Sequence, residues 1–534
     1  MADRPTGYRK QTRSVVHAQN GMVATSHPLA AMAGIQILQQ GGNAFDAAVA
    51  TAAALCVVEP MMTGLGGDMF ALIYDAKRRE IKGLNASGRA PRAATPDYFE
   101  QNGFTSIPAN GILSVTVPGV VDGWAQLLES CGTLTFQEVL APAIRYAEEG
   151  FPIPEMVSYY WKKAEPLLLR SEEASQHYLI HGKAPKEGTL FKQPGLAWSL
   201  KQIAKNGRDA FYQGEIADKI DRYMTDHQGL LRKEDLKEHR SQWVQPISTH
   251  YRSYEVLEIP PNGQGLVVLQ MLNILENFDL KAMGHNSAEY IRLFVEAKKL
   301  AYADRDRYIA DSEFADIPLD RLLSKEYAKE LAGTIQSGVK EIPSGAELGG
   351  DTVYLTVTDK EGNVASVTNS IFSVFGSGVL IPDTGIFLHN RGSLFSLDRH
   401  HPNVLQPGKR PFHTIIPGMV LKDGKPLISF GVMGADMQPQ GQVQTLVNLI
   451  DFGMNIQAAG DAPRFRHYAH GVFLESEIEP AICRELSRQG YTLLNLSDGD
   501  DFVVGGYQGI FIDPETGLFQ GGSDPRKDGC AIGF

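Results

Sequence analysis

The residues of this chain that can do chemistry do not stand in the common catalytic spacings. It has no G-x-S-x-G elbow, no H-E-x-x-H, no G-x-x-x-x-G-K loop and no complete G-x-G-x-x-G. Gly64-Leu65-Gly66-Gly67 and Gly263-Gln264-Gly265 read as turns where backbone packs closely, not as phosphate cradles. Asp498-Gly499-Asp500-Asp501 lacks calcium-loop spacing and reads as a solvated turn. His400-His401, beside Pro402, reads as surface. The junction Asp351–Thr352 says more. A polar, glycine-rich stretch without periodicity (334–351) reads as a mobile linker and runs straight into a strand that starts at Thr352. There Val353, Leu355 and Val357 alternate with Tyr354, Thr356 and Thr358. Residues 359–363 (DKEGN) form a hairpin turn and 364–370 return. Pairing symmetric about Glu361 sets Ser370 opposite Thr352, one hydroxyl across from another. An ordinary edge hairpin would carry the same pattern.

The elements that must position such a pair alternate along the chain. Residues 1–20 read as a flexible tail, and MVAT from Met22 as a short strand. The stretch 27–43 has helical spacing and ends at Gly41-Gly42-Asn43. Phe45–Val58 is an alanine-rich helix with few polar positions, expected to lie buried between layers. Residues 70–75 and 79–87 read as a hairpin. The region 120–330 is helix-rich with charged faces, and strands return after the linker through 379–390, 414–432, near Phe502 and at Gly509–Asp513. The class is α+β, with strands towards both ends and helices between.

Composition closes off several functions. At 43% hydrophobic and 21% charged, the chain is an ordinary globular protein with a sizeable core. A net charge of −12 and the lack of any basic stripe leave nucleic-acid binding without an electrostatic basis. Asn363–Pro382 is uncharged but rich in Ser, Thr, Asn and Gly, so it does not suit a bilayer core. Cys56, Cys131, Cys483 and Cys530 lie far apart, which argues against a disulfide framework or a zinc knuckle. No apolar signal-peptide run follows the polar N-terminus, so a cytoplasmic location without membrane attachment is expected. No cofactor or metal is called for.

Several stretches together resemble the γ-glutamyltransferase (glutathione hydrolase) family. In the C-terminal part they are Thr352–Asn363 (TVYLTVTDKEGN), FGSG from Phe375, TGIFLHN from Thr384, KRP from Lys409, GVMGA from Gly431 and APRF from Ala462. In the N-terminal part they are GMVA from Gly21, GGNAFDAAVA from Gly41, TGLGGDMF from Thr63, VPG from Val117 and EAKKLAYADR from Glu296. They run in one order from about residue 20 to 534. The resemblance implies the N-terminal nucleophile hydrolase fold, a four-layer αββα sandwich. It implies a precursor that cleaves itself at Asp351–Thr352 into a large subunit, 21–351 behind the tail, and a small subunit, 352–534, which stay together as a heterodimer.

On that resemblance Thr352 is the nucleophile. A threonine hydroxyl needs an adjacent base, and a freed α-amine, with a reference pKa of about 8, is one; no histidine or carboxylate partner is then required. Ser370 matches the family's hydroxyl partner of the nucleophile. Gly434 and Ala435 match its oxyanion pair, where backbone N–H groups suffice, so alanine in the second place should be tolerated. The implied substrates are γ-glutamyl amides such as glutathione, hydrolysed or transferred through an acyl-enzyme.

Departures fall in substrate recognition. The family's carboxylate-binding arginine corresponds to Ser87; Arg89, two residues on and hence on the same strand face, is expected to replace it. Its substrate-binding asparagine corresponds to Phe372, the residues that grip the α-amino group to Arg391 and Leu394, and its serine pair to His413-Thr414. The short segment between Phe395 and Lys409 leaves no room for the lid loop of some members. Two alternatives stand beside the main reading. One is a small-amide amidohydrolase such as the glutaryl-cephalosporin acylases of the same fold; the other is an unprocessed, non-catalytic binding homologue.

Overall fold

The computed structural model describes residue 8 and residues 11–337, 350, 352–495 and 504–534. Asp351, most of the expected linker, the 498–501 turn and the strand expected near Phe502 lie outside the described residues.

Two seven-stranded sheets form the middle layers. The front sheet runs, edge to edge, Cys530–Gly533, Gly21–Thr25, Val353–Asp359, Val364–Ser370, Asp68–Asp75, Glu80–Ala86 and Gln242–Val244. The back sheet runs Val16–Ala18, Phe519–Ser523, Tyr507–Ile512, Lys425–Val432, Gly418–Lys422, Tyr254–Glu258 and Ile247–Tyr251. Pro28–Gln39, Ala44–Val58 and Val120–Cys131 pack on the front sheet's outer face, and Phe136–Glu149 packs on Ala44–Val58. Gly265–Leu275 and Met437–Ile450 pack on the back sheet's outer face, and Ala288–Tyr308 and Lys325–Ser337 pack on Gly265–Leu275. Phe70, Leu72, Ile259, Val364, Ile415 and Met419 fill part of the space between the sheets. Helix, sheet, sheet and helix give the expected αββα sandwich.

The hairpin register matches the symmetric pairing: Val353 faces Asn369 and Thr356 faces Ser366. Its setting differs from an edge hairpin. The strand Val353–Asp359 lies inside the sheet between Gly21–Thr25 and Val364–Ser370, and every residue of both hairpin strands is buried. Alternation here separates a helix-facing side from a sheet-facing side, not core from water. The sheet-facing side carries polar pairs: Thr356 Oγ1 lies 2.6 Å from Ser429 Oγ, and Tyr354 Oη 2.7 Å from Ser366 Oγ.

The Ala44–Val58 helix is buried along its whole length, as its composition predicts, and packs on both hairpin strands. A reciprocal capping box of Asn43 and Asp46 starts it. Three expectations need correction. The tail is docked from Gln11 onwards: Thr12 bonds Asp461, and Val16–Ala18 is an edge strand paired with Phe519–Gly521. The expected linker starts late, because Thr334–Ser337 completes the helix from Lys325. The helical middle is broken by the strands of 242–258, which extend both sheets. Among the described residues no helix is long and apolar enough to cross a membrane.

Candidate active site

Thr352 sits at the head of its strand, 2% exposed, and its Oγ1 donates to Ser370 Oγ at 3.2 Å. Ser370 Oγ also accepts the Phe372 N–H at 2.8 Å. On the other side of Ser370 the register places Asp68 directly opposite, so Thr352, Ser370 and Asp68 mark one row across three strands. The glycines before Asp68 make this row possible. A Cβ on Gly67 would lie 2.5 Å from the Ser370 carbonyl oxygen, and one on Gly66 2.1 Å from that of Phe387, so both are packing glycines as expected.

Contacts between the sheets join the Thr352 strand to the strand that precedes the Gly434–Ala435 turn. Thr356 meets Ser429, and Gly431 lies so close to Tyr354 that a Cβ there would be 2.4 Å from the ring. Two residues back along one strand match two residues forward along the other, towards the end of Lys425–Val432, which the Gly434–Ala435 turn follows. That turn leads into the helix Met437–Ile450, whose N-terminus favours negative charge. Gly434 has φ +115° and Ala435 φ +49°. The alanine is therefore accommodated, but in the left-handed region, at a cost of about 1–2 kcal/mol. Gln264 braces the turn: its Nε2 donates to the carbonyls of Ala435 (3.1 Å) and Thr414 (2.8 Å). Gly263-Gln264-Gly265 is thus a tight backbone turn, its Gly263 bridged to His413.

Arg391 is wholly buried. Its Nη1 donates to Thr414 Oγ1 at 2.8 Å, its N–H to His389 Nδ1 at 3.1 Å, and its guanidinium lies 4.6 Å from the centre of the Phe372 ring. Nε and Nη2 have no partner among the described residues. Burial lowers the guanidinium to about 9, with Asp68 opposing the shift. Phe372 itself has φ +74°, strain of the kind found at functional sites, and a Cβ on Gly350 would lie 3.2 Å from its ring. Asp68 accepts the N–H groups of Gly88 and Gly119 on Oδ1 and faces His413 Nε2 at 2.9 Å and His389 Nε2 at 3.9 Å with Oδ2. Burial alone would raise its carboxyl, but the two histidines and Arg391 hold it well below the usual range. Burial and the Arg391 charge push His413 down to about 3. A neutral His413 facing an ionised carboxylate carries its proton on Nε2.

Arg89 does not take the expected place. The strand ends at Ala86, so the alternation that would put residues 87 and 89 on one face does not continue. Ser87 is buried and bonded to Asn85, whereas the partly exposed Arg89 pairs with Glu313 at 2.9 Å and donates to the Gly408 carbonyl. The buried guanidinium beside Ser87 is that of Arg410, whose Nε donates to the Ser87 carbonyl at 3.2 Å. Leu394 ends a short 3₁₀ turn that starts at Arg391, and its side chain offers no polar group. Among the described residues no group of three or more His, Cys, Asp or Glu could hold a metal ion. Clefts of about 450 Å³ by Asn286 and Asp461 and about 860 Å³ by Gly41 and Glu361 open elsewhere and do not include Thr352.

The gamma-glutamyltranspeptidase family model matches residues 30–534. The chain belongs to this family. It is 43% identical to the glutathione hydrolase-like YwrD proenzyme of Bacillus subtilis (strain 168), over 96% of this chain and 98% of that one. It is 35% identical to the oxamate amidohydrolase proenzyme of Klebsiella pneumoniae, over 97% and 100%. A solved cephalosporin acylase from Bacillus halodurans superposes with a TM-score of 0.92 at 42% identity, covering 100% of this chain and 99% of that one. The protein is accordingly an enzyme of the γ-glutamyltransferase and glutathione hydrolase type.

Within this gamma-glutamyltranspeptidase chain, Asp68, Gln264 and His389 escaped sequence reasoning. Asp68 and His389 lie inside the recognised stretches TGLGGDMF and TGIFLHN, and Gln264 inside a turn noticed only for its glycines. Their partners are distant, His413 lying 345 residues from Asp68, so no local spacing marks them.

Proposed function

We propose that the chain cleaves itself between Asp351 and Thr352, and that the freed Thr352 attacks the carbonyl of γ-glutamyl or related small amides to form an acyl-enzyme. The observation that carries this reading is the Thr352 Oγ1–Ser370 Oγ contact at the head of a central strand. In the intact chain the same hydroxyl attacks the Asp351 carbonyl; the ester formed is opened by water, leaving the α-amine of Thr352 as the base for later turnovers. Gly434 and Ala435 take the developing oxyanion on backbone N–H groups, and Ser370 orients the nucleophile; losing one oxyanion donor typically costs about 10²–10³ in rate. The large and small subunits remain one particle. The relatives bearing proenzyme names support this processing.

A second reading is an amidase of the cephalosporin-acylase kind, which the surroundings of Arg391 favour. Where the family grips an α-ammonium this chain has Arg391 and Leu394, and neither side chain accepts a hydrogen bond. The test is one experiment with two readouts. N-terminal sequencing of the purified protein is expected to find a fragment that begins at Thr352, and Thr352→Ala to abolish both cleavage and turnover, while Thr352→Ser keeps some of each. An intact chain with sound fold would leave the non-catalytic homologue standing. The ratio of γ-glutamyl to glutaryl anilide hydrolysis then decides between the two substrate readings.

A further inference from the structure

Arg391 is tied at two points, and both ties lead to Asp68. Its N–H rests on His389, and its Nη1 rests on Thr414, the neighbour of His413. Both imidazoles face the Asp68 carboxylate, whose Oδ1 is taken by two backbone N–H groups. The guanidinium edge left over, Nε with Nη2, is wholly buried and unpartnered among the described residues. That edge is a planar two-donor fork that matches a carboxylate. Three short contacts lead from it to the nucleophile: guanidinium to Phe372 ring, Phe372 N–H to Ser370 Oγ, Ser370 Oγ to Thr352 Oγ1.

We propose that the Nε–Nη2 edge of Arg391 receives the carboxylate at the far end of the acyl group, and that Asp68 is the positioning residue that aims it through His413 and His389. This rests on Thr352 being the nucleophile. The site then selects acyl groups that end in a carboxylate over neutral ones of equal length, and the selection belongs to a position other than Ser87. Asp68 is wholly buried, its Oδ1 taken by two backbone N–H groups and its Oδ2 facing His413, so its role is to position rather than to read the substrate.

The test compares kcat/KM for glutaryl and butyryl anilides, which differ in that carboxylate. In the unaltered processed enzyme the glutaryl compound is preferred. Arg391→Gln lowers the glutaryl-to-butyryl ratio by about 10–100-fold, the worth of a charged hydrogen-bonded pair. Asp68→Asn lowers the same ratio through KM for the glutaryl compound. Arg391→Lys keeps an intermediate ratio. A ratio that stays within about twofold in Arg391→Gln overturns the anchor. An equal loss on both substrates in Asp68→Asn makes Asp68 a structural residue and overturns its positioning role. If Asp68→Asn does not accumulate, Thr414→Val, which frees Nη1, is expected to lower the ratio, and an unchanged ratio there overturns the tether. Turnover surviving Thr352→Ala would refute the nucleophile while leaving the Arg391 ratio to be judged by itself.

Discussion

Gln264 shows how much one uncharged side chain can hold. It is fully buried, far from water, and spends both N–H groups on carbonyls of two segments, Thr414 and Ala435, that are neighbours only in the fold. Replacing it with leucine keeps most of the volume but leaves two buried acceptors unpaired. Gln264→Leu is expected to lower stability by about 2 kcal/mol, read as a shift of the urea midpoint, and to lower kcat more than KM because the turn proposed to receive the oxyanion loosens. A stable variant with unchanged kcat would show that the turn holds itself. At this scale the sequence was readable where chemistry is local. Thr352 and Ser370 could be paired because a single short turn fixes their register. Arg391 and His413 were found through resemblance, and Asp68, which organises both, stayed hidden among strand residues whose type gave no warning.

Periodicity located most elements but not their surroundings. The Ala44–Val58 helix was legible because few polar residues interrupt it, and its start was written in Asn43 and Asp46. Asn43→Ala removes acceptors for the Phe45 and Asp46 N–H groups and the bond to the Cys131 carbonyl. The expected cost is about 1 kcal/mol, measurable by thermal or urea unfolding, with the hairpin it supports otherwise intact. No measurable loss would mean that burial alone sets where this helix begins. The strands of 242–258 were missed because they are short and half-buried, which weakens alternation. Arg89 was misplaced for a related reason: a period of two applies only while a strand lasts, and this one stops at Ala86.

Across the whole molecule, burial of titratable groups sets the response to acid. Burial pushes His27 down to about 3, and burial with the Arg391 charge does the same to His413, against an ordinary value of 6.5. The unfolded chain therefore binds protons that the folded one refuses, and each such histidine costs up to about 1.4 kcal/mol per pH unit below 6.5. The Asp68 carboxyl, held below its ordinary 3.8, adds stability above that value and loses it as the pH falls further. The urea midpoint is expected to fall already between pH 6 and pH 4, before most carboxylates titrate. A flat profile over that range would mean that these histidines take up protons to the same extent in the folded and the unfolded chain.

The order of strands has a consequence for the life of the molecule. In the front sheet Gly21–Thr25 lies between Cys530–Gly533 and Val353–Asp359, and in the back sheet Val16–Ala18 borders Phe519–Ser523 while Tyr254–Glu258 borders Gly418–Lys422. Pieces from before and after residue 352 are woven through both sheets. An uncut chain finds this arrangement as one connected polymer, at a rate independent of its concentration. Once cut at the proposed bond, the same arrangement can be regained only by two separate polymers meeting, against the entropy that the lost connection had spared them. Cleavage then acts as a ratchet: Thr352→Ala protein should refold from urea at any dilution, whereas the cut enzyme should recover in proportion to how often its halves collide.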